Sequence, residues 1–345
     1  MPTRATVRRK FLKKYRAAFN DYKLKAEAAA KFISAILQDS QLEIHKIEAR
    51  PKDPASVQLK LLRKRYYRPQ TQLTDQVGVR VITYYSEDVD RVVDLLRPYI
   101  EINPSKSVDK RMALGLRAFG YSSVHIIARL KNRETQKSSY ACLNGFWFEL
   151  QVRSILEHAW AEAEHEIVFK SGIQHPDMVV RRFAAIAGTL EMLAKEFASL
   201  RRERDNMIDV FRLRYAEGLD TQRGFDTVRL LGFLEFKFPT NVSWREAGEL
   251  GQPFPPRMEA TCVAALKDCK LGSAKLLKGF VEKAAYRKAV KFFATEELKK
   301  PDELSHLALM VIAVALKSQN VLQDYFPGMA DSPSIAALLR RRKGF

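Results

Sequence analysis

Apolar positions recur in two rhythms along this chain. Over residues 5–38, Phe11, Tyr15, Phe19, Tyr22, Ala26, Ala29, Phe32 and Ile36 fall at three- and four-residue steps, with Lys and Arg on much of the other face. That spacing predicts one or two amphipathic helices. Residues 42–49 (LEIHKIEA) predict a strand, 51–54 a break, and 55–66 a basic helix. Residues 74–85 contain VGVRVITYY, whose β-branched run predicts a buried strand. Val89, Val92, Val93, Leu95 and Leu96 place an amphipathic helix at 87–98, and the polar stretch 102–119 predicts a loop. Strands are predicted at 122–130 and 146–152, the second alternating Phe146, Phe148, Leu150 and Val152, with helices at 155–169 and 178–204. This order predicts an α/β domain over 41–200, preceded by basic N-terminal helices at 1–40. A mostly helical region follows over 201–345, interrupted at 236–257 by a cluster of Pro and Gly. No internal repeat is present.

Composition narrows the class. A chain of 345 residues that is 46% hydrophobic can bury a sizeable core, which excludes wholesale disorder. Three cysteines, Cys142, Cys262 and Cys269, are too few for a disulfide framework and offer no CxxC zinc knuckle. The last two stand seven apart, a packing spacing. The basic N-terminus lacks the apolar core of a signal peptide, and the longest apolar run, 307–316, is too short to span a bilayer. The expectation is a cytoplasmic protein with no membrane segment. Its formal net charge is +19, divided as +12 over residues 1–199 and +7 over 200–345. Such a balance points to an anionic partner, nucleotide phosphates or RNA, although diffuse basicity also serves solubility.

Several residues carry candidate chemistry, each beside a plainer reading. Glu149, Gln151 and Arg153 alternate on one strand face, with Leu150 and Val152 on the other. Charged groups in such a row need partners if the face lines a cleft, and an open polar face if it does not. Asp75 precedes Arg80 in the 74–85 strand. Alone, the pair reads as a structural ion pair; with Glu149 on a neighbouring strand, Asp75 could instead hold Mg²⁺, which takes one or two carboxylates plus substrate phosphates. Arg50, Lys52, Ser56 and Lys60, with Arg63, Lys64 and Arg65, make a basic strand end and helix: a solvated face or a triphosphate cradle. Tyr121, Ser123 and His125 share one face after Gly120, and the ring of Tyr121 offers a stacking platform or merely packs on a loop. His158, Glu162 and His165 lie on one helical face, better placed to support a sheet than to bind a metal.

Taken in order, RPKDPASVQLKLLRK (50–64), DQVGVRVI (75–82), GYSSVH (120–125) and ELQVRSILEHAWAEAEH (149–165) resemble the synthetase domain of the RelA/SpoT family, over about residues 40–200. The resemblance implies a nucleotidyltransferase-like mixed sheet flanked by helices. It also implies transfer of the β,γ-pyrophosphate of ATP to the ribose 3′-hydroxyl of GTP or GDP. It implies Mg²⁺ on Asp75 and Glu149, with Glu149 also orienting or deprotonating the hydroxyl. ATP would be gripped by Arg50, Lys52, Ser56, Lys60 and Arg80. The acceptor would be held by Arg117, Tyr121, Ser123, His125, Gln151 and Arg153. No HD dipeptide occurs, so the family's hydrolase domain is not expected. Surplus charge keeps open a relative of the toxin type, which pyrophosphorylates the 3′ end of tRNA under control of an antitoxin or a fused module. A silent nucleotide- or RNA-binding protein is a third reading, disfavoured by the retained carboxylates. The resemblance also raises a homo-oligomer.

Overall fold

The computed structural model describes residues 4–38, 40, 42–64, 66–113, 123–169, 177–241, 258–297, 299–301, 304–341 and 344. The chain divides into two units, Met1–Ser199 and Leu200–Phe345. In the first, helices α1 (Arg4–Ala17) and α2 (Phe19–Gln38) lead into strand β1 (Ile44–Pro51) and helix α3 (Pro54–Lys64). A single turn, α4 (Pro69–Gln72), precedes β2 (Val77–Thr83) and α5 (Asp88–Leu96). Short strands β3 (Ile100–Ile102) and β4 (Val108–Asp109) and a turn of helix, α6 (Lys110–Ala113), follow. Strand β5 (Val124–Leu130), the turn α7 (Asn132–Thr135), strand β6 (Phe148–Ser154) and helix α8 (Ile155–Glu164) come next, and helix α9 (Asp177–Ala216) runs past the unit boundary at Ser199.

The six strands form one sheet in the order β1-β2-β6-β5-β3, with β4 also on β5. Only β2 and β6 run parallel; β1–β2, β5–β6, β3–β5 and β4–β5 are antiparallel, so the sheet is mixed. Alternation decides its two faces. Val77, Val79 and Val81 of β2 and Phe148, Leu150 and Val152 of β6 are fully buried, in one cluster with Ala29, Phe32 and Ile33 of α2 and Val92 and Leu96 of α5. The opposite face carries Gly78, Arg80, Glu149 and Gln151. A smaller cluster joins Phe11 and Tyr15 of α1 to Val57 and Leu61 of α3 and to Leu73. The N-terminal helices are therefore part of the first unit's core.

Differences from the sequence expectations are local. Residues 102–119 were expected as a loop, but among the described ones β4 pairs with β5, joining Val108 to His125 and Asp109 to Val124. A two-residue edge strand has too little alternation to be seen in sequence. The helix expected over 155–169 ends its regular turns at Glu164 and continues as a π-helical turn, His165–Phe169. Asp75 stands in the turn before β2, two residues ahead of the strand itself.

The second unit is helical. Its described helices are α10 (Thr227–Lys237), α11 (Met258–Asp268), α12 (Ala274–Val281), α13 (Ala284–Glu296), α14 (His306–Lys317), α15 (Gln319–Tyr325), α16 (Pro327–Ala330) and α17 (Pro333–Arg341). Helix α14 holds the longest apolar run and is its buried centre: Leu307, Leu309, Met310, Val311, Ile312, Ala313, Val314 and Ala315 all lie in the core. No described helix is long and apolar enough to cross a membrane. Cys262 and Cys269 belong to the same core, and burial pushes the Cys262 thiol well above its ordinary range. At 242–257 the expected interruption lies outside the described residues.

Candidate active site

Register places the polar face. Across β1, β2 and β6, Arg50 stands opposite Gly78 and Gly78 opposite Glu149. The next row joins Glu48, Arg80, Gln151 and His125. Gly78 matters because it is bare: a Cβ built there meets nothing within 4 Å, so open space separates Arg50 from Glu149.

Glu149 is held from two sides. His125 Nδ1 donates to its Oε1 at 3.0 Å and Gln151 Nε2 to its Oε2 at 2.9 Å. Burial pushes the carboxyl up, as does the charge of Asp75, but the His125 and Gln151 contacts together outweigh both and leave Glu149 below its ordinary value. The Asp75 charge reaches Glu149, which places the two carboxylates in one electrostatic site.

Asp75 is nine-tenths buried. Lys52 and Lys60 both reach its Oδ2, at 2.9 and 2.6 Å. Burial again raises the carboxyl, and the two ammonium groups more than offset this and hold it low. Its other oxygen, Oδ1, is buried and accepts no hydrogen bond from the described residues. A buried lone carboxylate oxygen facing no donor is a costly arrangement unless a cation or ligand satisfies it. Residues present here therefore fit Mg²⁺: a hard-oxygen donor set of two carboxylates, one with an open oxygen, beside a Cβ-free space. Among the described residues no cluster of three or more His, Cys, Asp or Glu forms a self-contained metal cage.

Arg80 does not pair with Asp75, the plainer of the two sequence readings. Its Nη1 lies 2.8 Å from Glu162 Oε1 of α8 and its Nε donates to Gln151 at 3.3 Å. Arg153, 2% exposed, reaches the same Glu162 oxygen at 3.2 Å. Burial raises the Glu162 carboxyl, but Arg80 and Arg153 hold it down. Conversely His158, next to this pair, is lowered first by burial and then by Arg153. Helix α8 can present Glu162 because its start is fixed by a capping box: Ser154 Oγ accepts from Glu157 N, and Glu157 Oε2 accepts from Ser154 N at 2.6 Å.

Of the candidates, Asp75, Lys52, Lys60, Arg80, His125, Glu149, Gln151 and Arg153 converge. Arg50 is exposed at the rim and Ser56 lies exposed on the first turn of α3, its amide donating to Asp53. Ser123 is buried. Arg117 and Tyr121 lie outside the described residues. Two contributors were missed as site residues. Glu162 was expected only to support the sheet, which it does through Arg80 and Arg153, and was not counted among the site residues. Lys110 is half-buried within reach of the Glu149 and Glu164 charges, and burial lowers its ammonium; it fell in a stretch expected to be loop.

Residues 49–174 match the model of the family described as "Region found in RelA / SpoT proteins". GTP pyrophosphokinase YwaC of Bacillus subtilis is 24% identical over 193 residues, covering 53% of this chain and 89% of that protein. Small alarmone synthetase 2 of Bacillus subtilis aligns at 23% identity with a TM-score of 0.43, covering 54% of this chain and 97% of that one. A GTP pyrophosphokinase family protein of Streptococcus pneumoniae aligns at 24% and 0.41, covering 56% and 93%. The segment that carries Asp75, Glu149 and their partners lies within residues 49–174, the stretch that matches the RelA/SpoT region.

Proposed function

We propose that the chain is a pyrophosphokinase that moves the β,γ-pyrophosphate of ATP to the 3′-hydroxyl of GTP or GDP. The observation that carries this reading is the pairing of two ionised carboxylates, buried Asp75 and half-buried Glu149, in one site ringed by Lys52, Lys60, Arg80 and Arg153. The curated relative is named a GTP pyrophosphokinase, and this chain covers most of its length. In the reaction the ribose 3′-oxygen forms a bond to the β-phosphorus of ATP and the bond from that phosphorus to the α-bridging oxygen breaks, releasing AMP. Glu149, kept ionised, accepts the hydroxyl proton. His125 and Gln151 fix which way its oxygens point. Lys52, Lys60, Arg50 and Arg80 supply positive charge where the triphosphate accumulates negative charge. Asp75 and Glu149 would hold Mg²⁺, which would screen the phosphates from the attacking oxygen. Tyr121 would stack on the guanine, with Arg117 at the acceptor phosphates.

A second acceptor, the 3′ end of tRNA, is favoured by one observation. Helix α1 holds no acidic residue, and Arg9, Lys10, Lys13, Lys14 and Arg16 all stand exposed on it. None of them belongs to the carboxylate site, and phosphate neutralisation is the main currency of RNA binding. Incubation of the protein with γ-³²P-ATP, Mg²⁺ and GTP, GDP or bulk tRNA decides the acceptor. Label in a guanosine tetra- or pentaphosphate supports the first reading, label in tRNA the second, and no transfer to any of them overturns both.

A further inference from the structure

Tyr15 sits on α1, well before the RelA/SpoT region begins at residue 49. It is 1% exposed, and its ring stacks on Tyr22 at 4.7 Å between centroids, beside Phe11 and Phe19. Packing alone would be served by phenylalanine. The hydroxyl is the unexplained part. It lies 2.6 Å from the carbonyl oxygen of Lys52 and 3.2 Å from that of Gln76. These carbonyls belong to two different segments, the end of β1 and the turn into β2. The same segments are joined by Lys52 N donating to Gln76 O at 2.9 Å. The Lys52 side chain leaves the first segment and that of Asp75 leaves the second, and the two meet at 2.9 Å.

We propose that Tyr15 is a positioning residue, whose hydroxyl clamps the backbone segments bearing Lys52 and Asp75 and so sets the geometry of the donor-phosphate and metal side of the site. A phenol has one proton, so it donates strongly to Lys52 O and shares that proton with Gln76 O. Burial, then the neighbouring Tyr22 and Asp75, push its ionisation far above the ordinary tyrosine value, so it remains a donor throughout the working range. Releasing the clamp takes this donor from two part-buried carbonyls, leaving Gln76 O with the Lys52 amide alone, and lets the segments drift. Chemistry of this kind is steep in position, and loss of a group that orients a metal ligand commonly costs about 10- to 100-fold in metal affinity or activity. The inference deepens the proposed function and rests on its assignment of Asp75 and Lys52.

Its test compares Tyr15→Phe with Phe11→Leu in the full chain. The first removes only the hydroxyl; the second disturbs the same cluster and leaves the hydroxyl in place. Tyr15→Phe is expected to lower kcat about 10-fold or more and to raise the Mg²⁺ concentration for half-activation, with the KM for the acceptor unchanged. Phe11→Leu is expected to lower the melting temperature and to keep the wild-type kcat and Mg²⁺ curve. Wild-type kcat and Mg²⁺ dependence in Tyr15→Phe would overturn the proposal, as would equal losses of kcat in both variants. If wild-type protein transfers pyrophosphate to no acceptor, the functional reading fails separately. Mg²⁺-dependent binding of a non-hydrolysable ATP analogue then reads the clamp instead: weaker binding in Tyr15→Phe alone sustains it, and equal binding in both variants ends it.

Discussion

Glu149 shows how one side chain is made ready by its neighbours. A carboxylate so buried would normally drift toward its neutral form, and the donors His125 and Gln151 reverse that tendency. Glu149→Gln keeps the shape and removes the proton acceptor. The expected result is a kcat lower by about 10²–10³ with a melting temperature near that of the wild type, checked by product formation and thermal unfolding. Gly78 makes the converse point. A Cβ there meets no atom within 4 Å, so the backbone has room for a side chain, and that side chain enters the space between Arg50 and Glu149. Gly78→Val is expected to change stability by less than about 0.5 kcal/mol and to raise the KM for ATP, and an unchanged KM would count against nucleotide binding in that space.

Elements explain which parts of this were legible in sequence. Long strands with strict alternation were: β6 shows Phe148, Leu150 and Val152 buried and Glu149 and Gln151 on the working face, as the pattern of 146–152 predicts. Helix α5 and the β-branched β2 were equally plain. Partner choice was not, because it is set by register between strands far apart in sequence: nothing in residues 75–80 says that Arg80 meets Glu162 while Asp75 meets two lysines. Edge strand β4 and the half-buried Lys110 beside it were invisible for lack of length. Tyr15 was legible as an apolar helix position, but its hydroxyl contact was not. Close packing of elements also yields a prediction in the second unit. A Cβ at Gly232 of α10 would lie 2.7 Å from Phe211 Cβ and 2.8 Å from Ile208 O, whereas one at Gly279 of α12 meets nothing. Gly232→Ala should therefore destabilise by about 1–3 kcal/mol. Gly279→Ala, relieved only of glycine's helix penalty, should be neutral or stabilising by up to about 1 kcal/mol. Chemical denaturation of the two variants measures the difference.

Across the whole molecule, acid should act through the site. Asp75 and Glu149 both have folded values below their unfolded ones. Their contribution to stability is thus complete above the ordinary carboxylate range, about 4, and is lost as pH falls through the lower folded values. Unfolding measured from about pH 5 downward should become steadily easier, and Asp75→Asn should show a shallower acid slope than the wild type. Among the described residues, the second unit has no pair of buried carboxylates of this kind. Its described residues include no cluster of metal-ligating side chains, and what its sequence specifies is a core built around α14. That is why its helical class was readable and its role was not. The charge of +19 divides in the same way: cations beside Asp75 and Glu162 have partners in the site, while those along α1 face outward.

The strand order has a temporal consequence. β6 is the last strand among the described residues but lies in the middle of the sheet, with β1–β2 on one side and β5–β3 on the other. Until Phe148–Ser154 have been made, β1–β2 and β5–β3 lack the strand that pairs with both, and Glu149 does not yet exist. Each half presents an unpaired inner edge, the kind of surface that invites misassembly. Insertion of β6 seals both edges and brings Glu149 beside Asp75 in one event. Completion of the sheet and arrival of Glu149 beside Asp75 are therefore the same step, so the carboxylate pair cannot precede the complete sheet.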